Sequence, residues 1–184
     1  MEETKKFVKR DNKRERGPRK FEKPVKLYEE IVLETKPVVK VTKGGRQRRF
    51  QAVVVVGNGK GLVGLGTGKA NEVAEAVKKA RQSAQKNIVK VPVVDARTVP
   101  HAIVGKKGAT TVVIKPASAG TGLIAGGAMR NVLEMAGYKD IVSKALGSRT
   151  KINVARATIS ALESMKTIED VAALRGKTKE EILG

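Results

Sequence analysis

The glycines of GNGKGLVGLGTGK (Gly57, Gly59, Gly61, Gly64, Gly66 and Gly68) are the first residues of this chain whose spacing suggests chemistry. Gly59 to Gly64 spells GxGxxG, which cradles a pyrophosphate when it comes after a strand and opens a helix. Here the next residues are strand-like, so the context fails. Gly68-Lys69 has the form of a P-loop end, but Val63 and Ala70 stand where that loop needs Gly and Ser or Thr. The glycines are therefore read as turns, bulges and close backbone contacts. A second group, Gly120-Thr121-Gly122-Leu123-Ile124-Ala125, lies between a strand and a helix, with Asp140 twenty residues on from Gly120. It matches a dinucleotide fingerprint in outline, yet lacks the repeated βαβ halves that build such a site. A tight turn, with helix N–H groups open to a phosphate, is the preferred reading.

Nothing supplies a catalytic set. There is no Cys, and His101 is the only histidine, so thiolate and imidazole chemistry lack their parts. No metal or other cofactor is expected, and no enzyme. Glu29-Glu30, Glu169-Asp170 and Glu180-Glu181 are adjacent in sequence, so neither pair member shares a strand or helix face with the other. They read as solvated charge. His101, after Pro100, reads as a buried or turn histidine.

Charge is the informative quantity. The 184 residues carry 38 Lys+Arg against 18 Asp+Glu, a formal net charge of +20. Such a chain works against a dense polyanion, because its self-repulsion is otherwise uncompensated. No stretch approaches about 18 apolar residues, so no membrane partner is expected, and the N-terminus lacks a secretory apolar core. These counts point to a cytoplasmic nucleic-acid-binding protein. Between Glu34 and Glu72 there is no acid, while Lys36, Lys40, Lys43, Arg46, Arg48, Arg49, Lys60 and Lys69 are basic. Solvated faces normally mix both signs. One sign across two strand-connecting turns points to phosphate contact. Gly44 and Gly45, between Lys43 and Arg46, would let the backbone approach a sugar-phosphate chain. Gly45 is expected to hold a conformation that a β-branched residue tolerates poorly. The few aromatics, Phe7, Phe21, Phe50, Tyr28 and Tyr138, are scattered and make no base-stacking platform.

The elements that position these residues read as α+β. Residues 1–26 form a basic leader with eleven Lys/Arg and five acids, read as a mobile tail or a solubilising terminus. Residues 27–91 read as a first domain of three strands and a helix. LYEEIVLETKPVVKVTK is broken at Pro37, RRFQAVVVVGNG is covered on both faces at Val53 to Val56, and GLVGLGTGK is third. The helix is capped by Asn71, with Val73, Val77, Ala80, Ala84 and Ile88 on its apolar side. Residues 92–166 read as a second α/β domain. Strands at Thr98 to Gly105 and Thr110 to Lys115 are joined by the turn Lys106-Lys107-Gly108. A helix over GGAMRNVLEMAG ends at Gly137, DIVSKALGS is a third strand, and Asn153 caps a last long helix. Residues 167–184 form a helical tail around Arg175-Gly176 that docks on a neighbour or frays.

The strings VTKGGRQRRFQAVVVVGNGKGLVGLGTGKANEVAEAVKKA, TVPHAIVGKKGATTVVIKPASAGTGLIAGGAMRNVLEMAGYKDIVSKALGS and INVARATISALESM closely resemble the bacterial small-subunit ribosomal protein five family. The resemblance runs from about Leu27 to the C-terminus. It implies an N-terminal domain akin to double-stranded-RNA-binding domains and a second domain with a left-handed crossover. It implies a structural constituent of the small ribosomal subunit that binds small-subunit (16S) rRNA near the central pseudoknot and the mRNA entrance, supporting assembly and accuracy. Implied partners are small-subunit proteins four and eight, with mRNA nearby. Lys40 to Arg46 would be the RNA-contacting loop. Gly105, Lys106, Lys107, Gly108, Thr110 and Thr111 would face protein four. Leu65, Thr67, Asn71 and Arg149-Thr150-Lys151 depart from common family residues. A free-standing double-stranded-RNA-binding regulator is the alternative; it would share the first domain without needing the second.

Overall fold

The computed structural model describes residues 28–183, so the leader reading lies outside the described residues. Two four-stranded sheets carry the chain, one of order β1-β2-β3-β4 and one of order β5-β6-β8-β7. The first comprises β1 (Glu29–Thr42), β2 (Gly45–Gly57), β3 (Leu62–Ala70) and β4 (Ile88–Lys90), with α1 (Val73–Lys86) between the last two strands. The second comprises β5 (Ile103–Lys107), β6 (Thr110–Pro116), β7 (Leu123–Ile124) and β8 (Ile141–Gly147). Helices α2 (Gly127–Ala136) and α3 (Lys151–Glu163) belong to this half, followed by α4 (Ile168–Arg175) and α5 (Lys179–Leu183). The α+β reading holds.

The valine run of β2 is buried on both sides, as its composition demands. Ala52, Val54 and Val56 face α1 and pack with Ala76, Ala80 and Ala84. Val53 and Val55 face the other way and join Met129, Leu133 and Ile141 in a core that draws on both sheets. Each fully buried valine or leucine side chain is worth about 1.5–3 kcal/mol, so this sandwiched strand anchors the molecule.

The glycine series of β3 explains how α1 comes so close. Gly64, Gly66 and Gly68 pair across the ladder with Val56, Val54 and Ala52 and lie under the helix. A methyl group at Gly66 would stand 2.8 Å from the Ala84 Cα, and nearer still to the Ala80 carbonyl oxygen. Glycine on the strand and alanine on the helix leave two backbones in contact. Gly57, Gly59 and Gly61 meet α2 instead: the Gly59 and Gly61 N–H groups donate to the Met135 and Ala136 carbonyls at 3.0 and 2.8 Å. These take up carbonyls that a helix C-terminus leaves unpaired. All six glycines serve packing and turns.

Several expected boundaries move. β1 runs through Pro37 unbroken, which an edge strand permits because one of its ladder sides has no partner. The first sheet has four strands rather than three, because Asn87 closes α1 and Ile88 turns back to pair with Gly64. The N-cap of α1 is Glu72 rather than Asn71, and its buried face is Ala76, Ala80 and Ala84, with Val73 42% exposed. In the second half the segment from Thr98 is not strand until Ile103, and the hairpin turn falls at Gly108 and Ala109, leaving Lys106 and Lys107 in β5. Helix α3 begins at Lys151 rather than after an Asn153 cap. Gly137 ends α2 in the left-handed conformation as expected (φ 93°), and Gly176 does the same for α4 (φ 63°).

Candidate nucleic-acid interface

The acid-free segment forms a hairpin arm. β1 and β2 remain paired to their tip, where Thr42 meets Gly45 across the two-residue turn Lys43-Gly44. Beyond Thr35 and before Phe50 only Val38 is even half-buried. The Thr42 hydroxyl donates to the Gly45 carbonyl at 3.1 Å, and Gly45 has φ 144°, a conformation foreign to β-branched residues.

A bulge decides which side chains share a face. The register slips between Val32 and Glu34, so Ile31 pairs with Val55 while Lys36 pairs with Gln51. Odd and even positions of β1 therefore exchange faces at the buried Leu33. As a result Lys36 and Lys40 join Arg49 and, through the next ladder, Lys69 on the side away from α1. Gln47 and Gln51 lie in the same rows. A shallow depression lined by Val38, Lys40, Gln47, Arg49 and Lys69 runs across this face. Arg46 and Arg48 point to the α1 side beside Val39 and Val41, which are 49% and 72% exposed. Lys43 and Gly44 occupy the tip.

Lys36 sits 3.2 Å from Glu34, which also reaches Lys151 at 3.9 Å. Among the described residues Lys40, Lys43, Arg46, Arg48, Arg49 and Lys69 have no acidic partner within bonding reach. Unpaired cations crowded on one arm raise the local potential and attract phosphate. Lys60 does not belong with them. It lies in the β2–β3 turn beside α2, at the far end of the 13-residue β2, roughly 40 Å from the tip at about 3.3 Å per residue. The glutamines were missed; the period-two spacing Gln47-Arg49-Gln51 was the available signal.

The second expected surface divides. Gly105 faces inward, where a methyl group would meet the Ala157 carbonyl oxygen at 2.8 Å and the Ala161 Cα at 3.0 Å. Thr110 is buried and donates its hydroxyl to the Ser148 carbonyl at 2.8 Å. Lys106, Lys107 and Gly108 are exposed and Thr111 half-buried. Lys107 lines a groove of about 340 Å³ with Leu65, Arg156 and Glu163, between the two halves.

The Gly120–Gly122 loop is already occupied by protein. Asp140 is buried, and its Oδ1 accepts from the Gly120 and Gly122 N–H groups at 3.1 and 2.9 Å. Its Oδ2 accepts from Arg97 at 3.0 Å from Nε and 2.9 Å from a terminal nitrogen. The Gly122 N–H above all, with the Arg97 guanidinium and the Gly120 N–H, holds this carboxyl below the usual range against the cost of burial. A phosphate would have to displace it, so the loop is a structural clasp. His101 is exposed, with Nδ1 3.0 Å from the Ala102 carbonyl and Nε2 accepting from the Lys166 N–H at 3.3 Å. It is a turn histidine.

Two family comparisons bear on this arrangement. Residues 28–92 match the family described as Ribosomal protein S5, N-terminal domain. Residues 105–175 match Ribosomal protein S5, C-terminal domain. The two matches occur in that order and together cover well over half of the chain. The chain belongs to the ribosomal protein S5 family of structural, rRNA-binding proteins of the small ribosomal subunit.

Proposed function

We propose that the β1–β2 arm is the principal rRNA contact of this protein, with Lys40, Arg49, Lys69 and Lys36 on one face, Arg46 and Arg48 on the other, and Lys43, Gly44 and Gly45 at the tip. The observation that carries this reading is an exposed arm whose cations, Lys36 apart, lack acidic partners among the described residues. Recognition is by shape and phosphate spacing, because side chains cannot read the deep, narrow major groove of A-form RNA. The first sheet with α1 on one face would act in the manner of a double-stranded-RNA-binding domain (27–91). The second domain (92–166), with the family's left-handed crossover, would turn Lys106, Lys107, Gly108 and Thr111 toward small-subunit protein four. Gly105 and Thr110 support that surface from inside. The family resemblance supports a position near the central pseudoknot and the mRNA entrance, contact with protein eight, and a part in assembly and accuracy.

Binding of the full chain to a small-subunit rRNA fragment across a salt series tests the arm. Lys40→Glu with Arg49→Glu should weaken binding by at least about tenfold and flatten the salt slope by about 1.4–1.8, the share of two phosphates. Lys60→Glu should leave both unchanged. Equal effects from the two variants would show that net charge, not the arm, carries the affinity.

A further inference from the structure

We propose that the groove between the two halves is a binding site for one nucleoside phosphate. It lies where the first sheet runs out of partners. β4 pairs only with Leu62, Val63 and Gly64, so from Leu65 to Ala70 the outer side of β3 has no neighbouring strand. Asn58 holds both main-chain groups of Leu62 on the β2 side. Its N–H donates to the Leu62 carbonyl at 3.2 Å, and its Oδ1 accepts from the Leu62 N–H at 3.0 Å. Main-chain direction alternates along an antiparallel strand, so Thr67 presents its N–H and C=O to the open edge.

The walls select the ligand. Leu65, Val89 and Ile159 form an aliphatic floor, half-buried and packed against the common core. Ser83 and Asn87 of α1 and Ser160 of α3 supply neutral polar groups. Arg156 and Glu163 are seven residues apart and so share one face of α3, with Lys107 at the rim. Opposite charges thus line one groove of about 340 Å³, yet among the described residues none of these three has an ion-pair partner.

A nucleotide satisfies each feature in turn. The faces of its base lie against the aliphatic floor, while the base edge meets a main-chain donor and acceptor at Thr67. Its phosphate takes the Arg156 guanidinium, whose fork binds two such oxygens at once. Its ribose hydroxyls donate to the Glu163 carboxylate, a pairing that recurs in dinucleotide sites. Small-molecule sites run from about 300 Å³ upward, so the space holds one nucleotide rather than two. A bare phosphate would leave the floor and Glu163 unmatched, and an apolar ligand would leave the charges so. The same chemistry has two sources: a free nucleotide, or one nucleotide of rRNA turned out of its stack. The site is separate from the arm and does not rest on the arm's RNA contact.

Two measurements test it. The full-length chain is titrated calorimetrically with the monophosphates of adenosine, guanosine, cytidine and uridine. Assembled small subunits are irradiated with ultraviolet light, and nucleotide adducts on the chain are mapped by mass spectrometry. The expected result is saturable one-site binding of at least one monophosphate, or an adduct on the groove walls of β3 or α3. Binding without an adduct assigns the site to a free nucleotide, and an adduct assigns it to the rRNA. Arg156→Glu should weaken the binding at least about tenfold or remove the adduct. Arg156 is exposed, so this variant should keep the parent's circular dichroism. Ser160→Trp, which fills the groove without changing charge, should have the same effect on binding. Lys60→Glu changes the net charge as much as Arg156→Glu and should alter neither readout. Neither binding nor adduct would overturn the inference, and so would equal losses from Arg156→Glu and Lys60→Glu. The arm is read by the salt series with Lys40→Glu and Arg49→Glu, so failure of that reading and failure of this one are distinguishable.

Discussion

Replacing Gly66 by alanine adds one methyl group in the place where two backbones touch. The added carbon would lie 2.8 Å from the Ala84 Cα. Ordinary carbon–carbon contact begins near 3.5 Å, so α1 must move away by roughly 0.7 Å at this point, and more at the Ala80 carbonyl. Gly64 and Gly68 pin the same helix above and below, with backbone atoms of Asn87 and Ala80 in their way at 3.1 and 2.5 Å. The helix therefore cannot tilt off one glycine without losing contact at the others. Overpacking of this kind costs about 1–3 kcal/mol, partly offset by about 0.4–1 kcal/mol from the stiffer unfolded chain. A net loss of about 1–2 kcal/mol is expected, a fall in Tm of roughly 2–8 °C for a chain of this length. Gly127→Ala is the control. Nothing lies within 4 Å of a methyl group there and the residue is helical, so the same substitution should stabilise by up to about 1 kcal/mol. Urea unfolding monitored by circular dichroism reads both. If Gly66→Ala were as stable as the parent while Gly127→Ala behaved as stated, close packing would not be the reason for the glycine series.

The remaining expectations concern the second half. Gly105→Ala should destabilise by about 1–3 kcal/mol in urea unfolding, because its methyl group would meet the backbone of α3; an unaltered midpoint would return Gly105 to the role of a surface residue. Tyr138→Phe removes a 2.8 Å hydrogen bond from the hydroxyl to the Pro92 carbonyl and should lower stability by about 1 kcal/mol, with no change expected if water replaces the partner. Asp140→Asn keeps an acceptor for the Gly122 N–H but loses the charge facing Arg97, so its Tm should fall below the parent's at neutral pH. Because the folded-state pKa of Asp140 is depressed, its contribution is complete above the ordinary carboxylate value of about 3.9 and disappears as the pH falls through the folded value. The gap between the parent and Asp140→Asn should therefore close on acidification below that point; a gap constant down to acid pH would rule out the charged clasp.

The strands of the first half were legible because β-rich runs separated by glycine turns leave a local signature, and the four valines announced burial on both faces. What the sequence concealed was relational. A GxGxxG string looks the same whether its glycines admit a phosphate or a helix, and only the position of Ala76, Ala80 and Ala84 distinguishes the two. Pro37 reads as a break unless β1 is known to be an edge. The helix face was misread for a related reason. Val73 and Val77 are larger than alanine and fit the helical period, yet a strand paved with glycine rewards the smallest side chain. Ile88 satisfied the same period and went to β4 because Asn87 ended the helix first. Basic residues were identified by type but not by place. The distance from Lys60 to the tip depends on the length of β2, and the common face of Lys36, Lys40, Arg49 and Lys69 depends on one bulge at Leu33.

On the proposed reading of the arm as the rRNA contact, that bulge is what turns excess charge into a binding surface. In an unshifted hairpin the half-buried Ile31 and the buried Leu33 would set odd positions of β1 inward along its whole length, and Lys36 and Lys40 would fall on the α1 side. The slip lets the base of the strand bury odd residues against the core while its outer part presents even-numbered lysines on the same face. Coulombic attraction alone would draw the chain to any polyanion, in any orientation. A paired hairpin fixes the spacing of its cations in advance, so less ordering remains to be done on binding. On the proposed reading, the geometry of the arm then supplies selectivity for one folded RNA over others. Inserting a residue opposite the bulge, which would restore simple alternation, should spoil recognition more than removal of any single lysine.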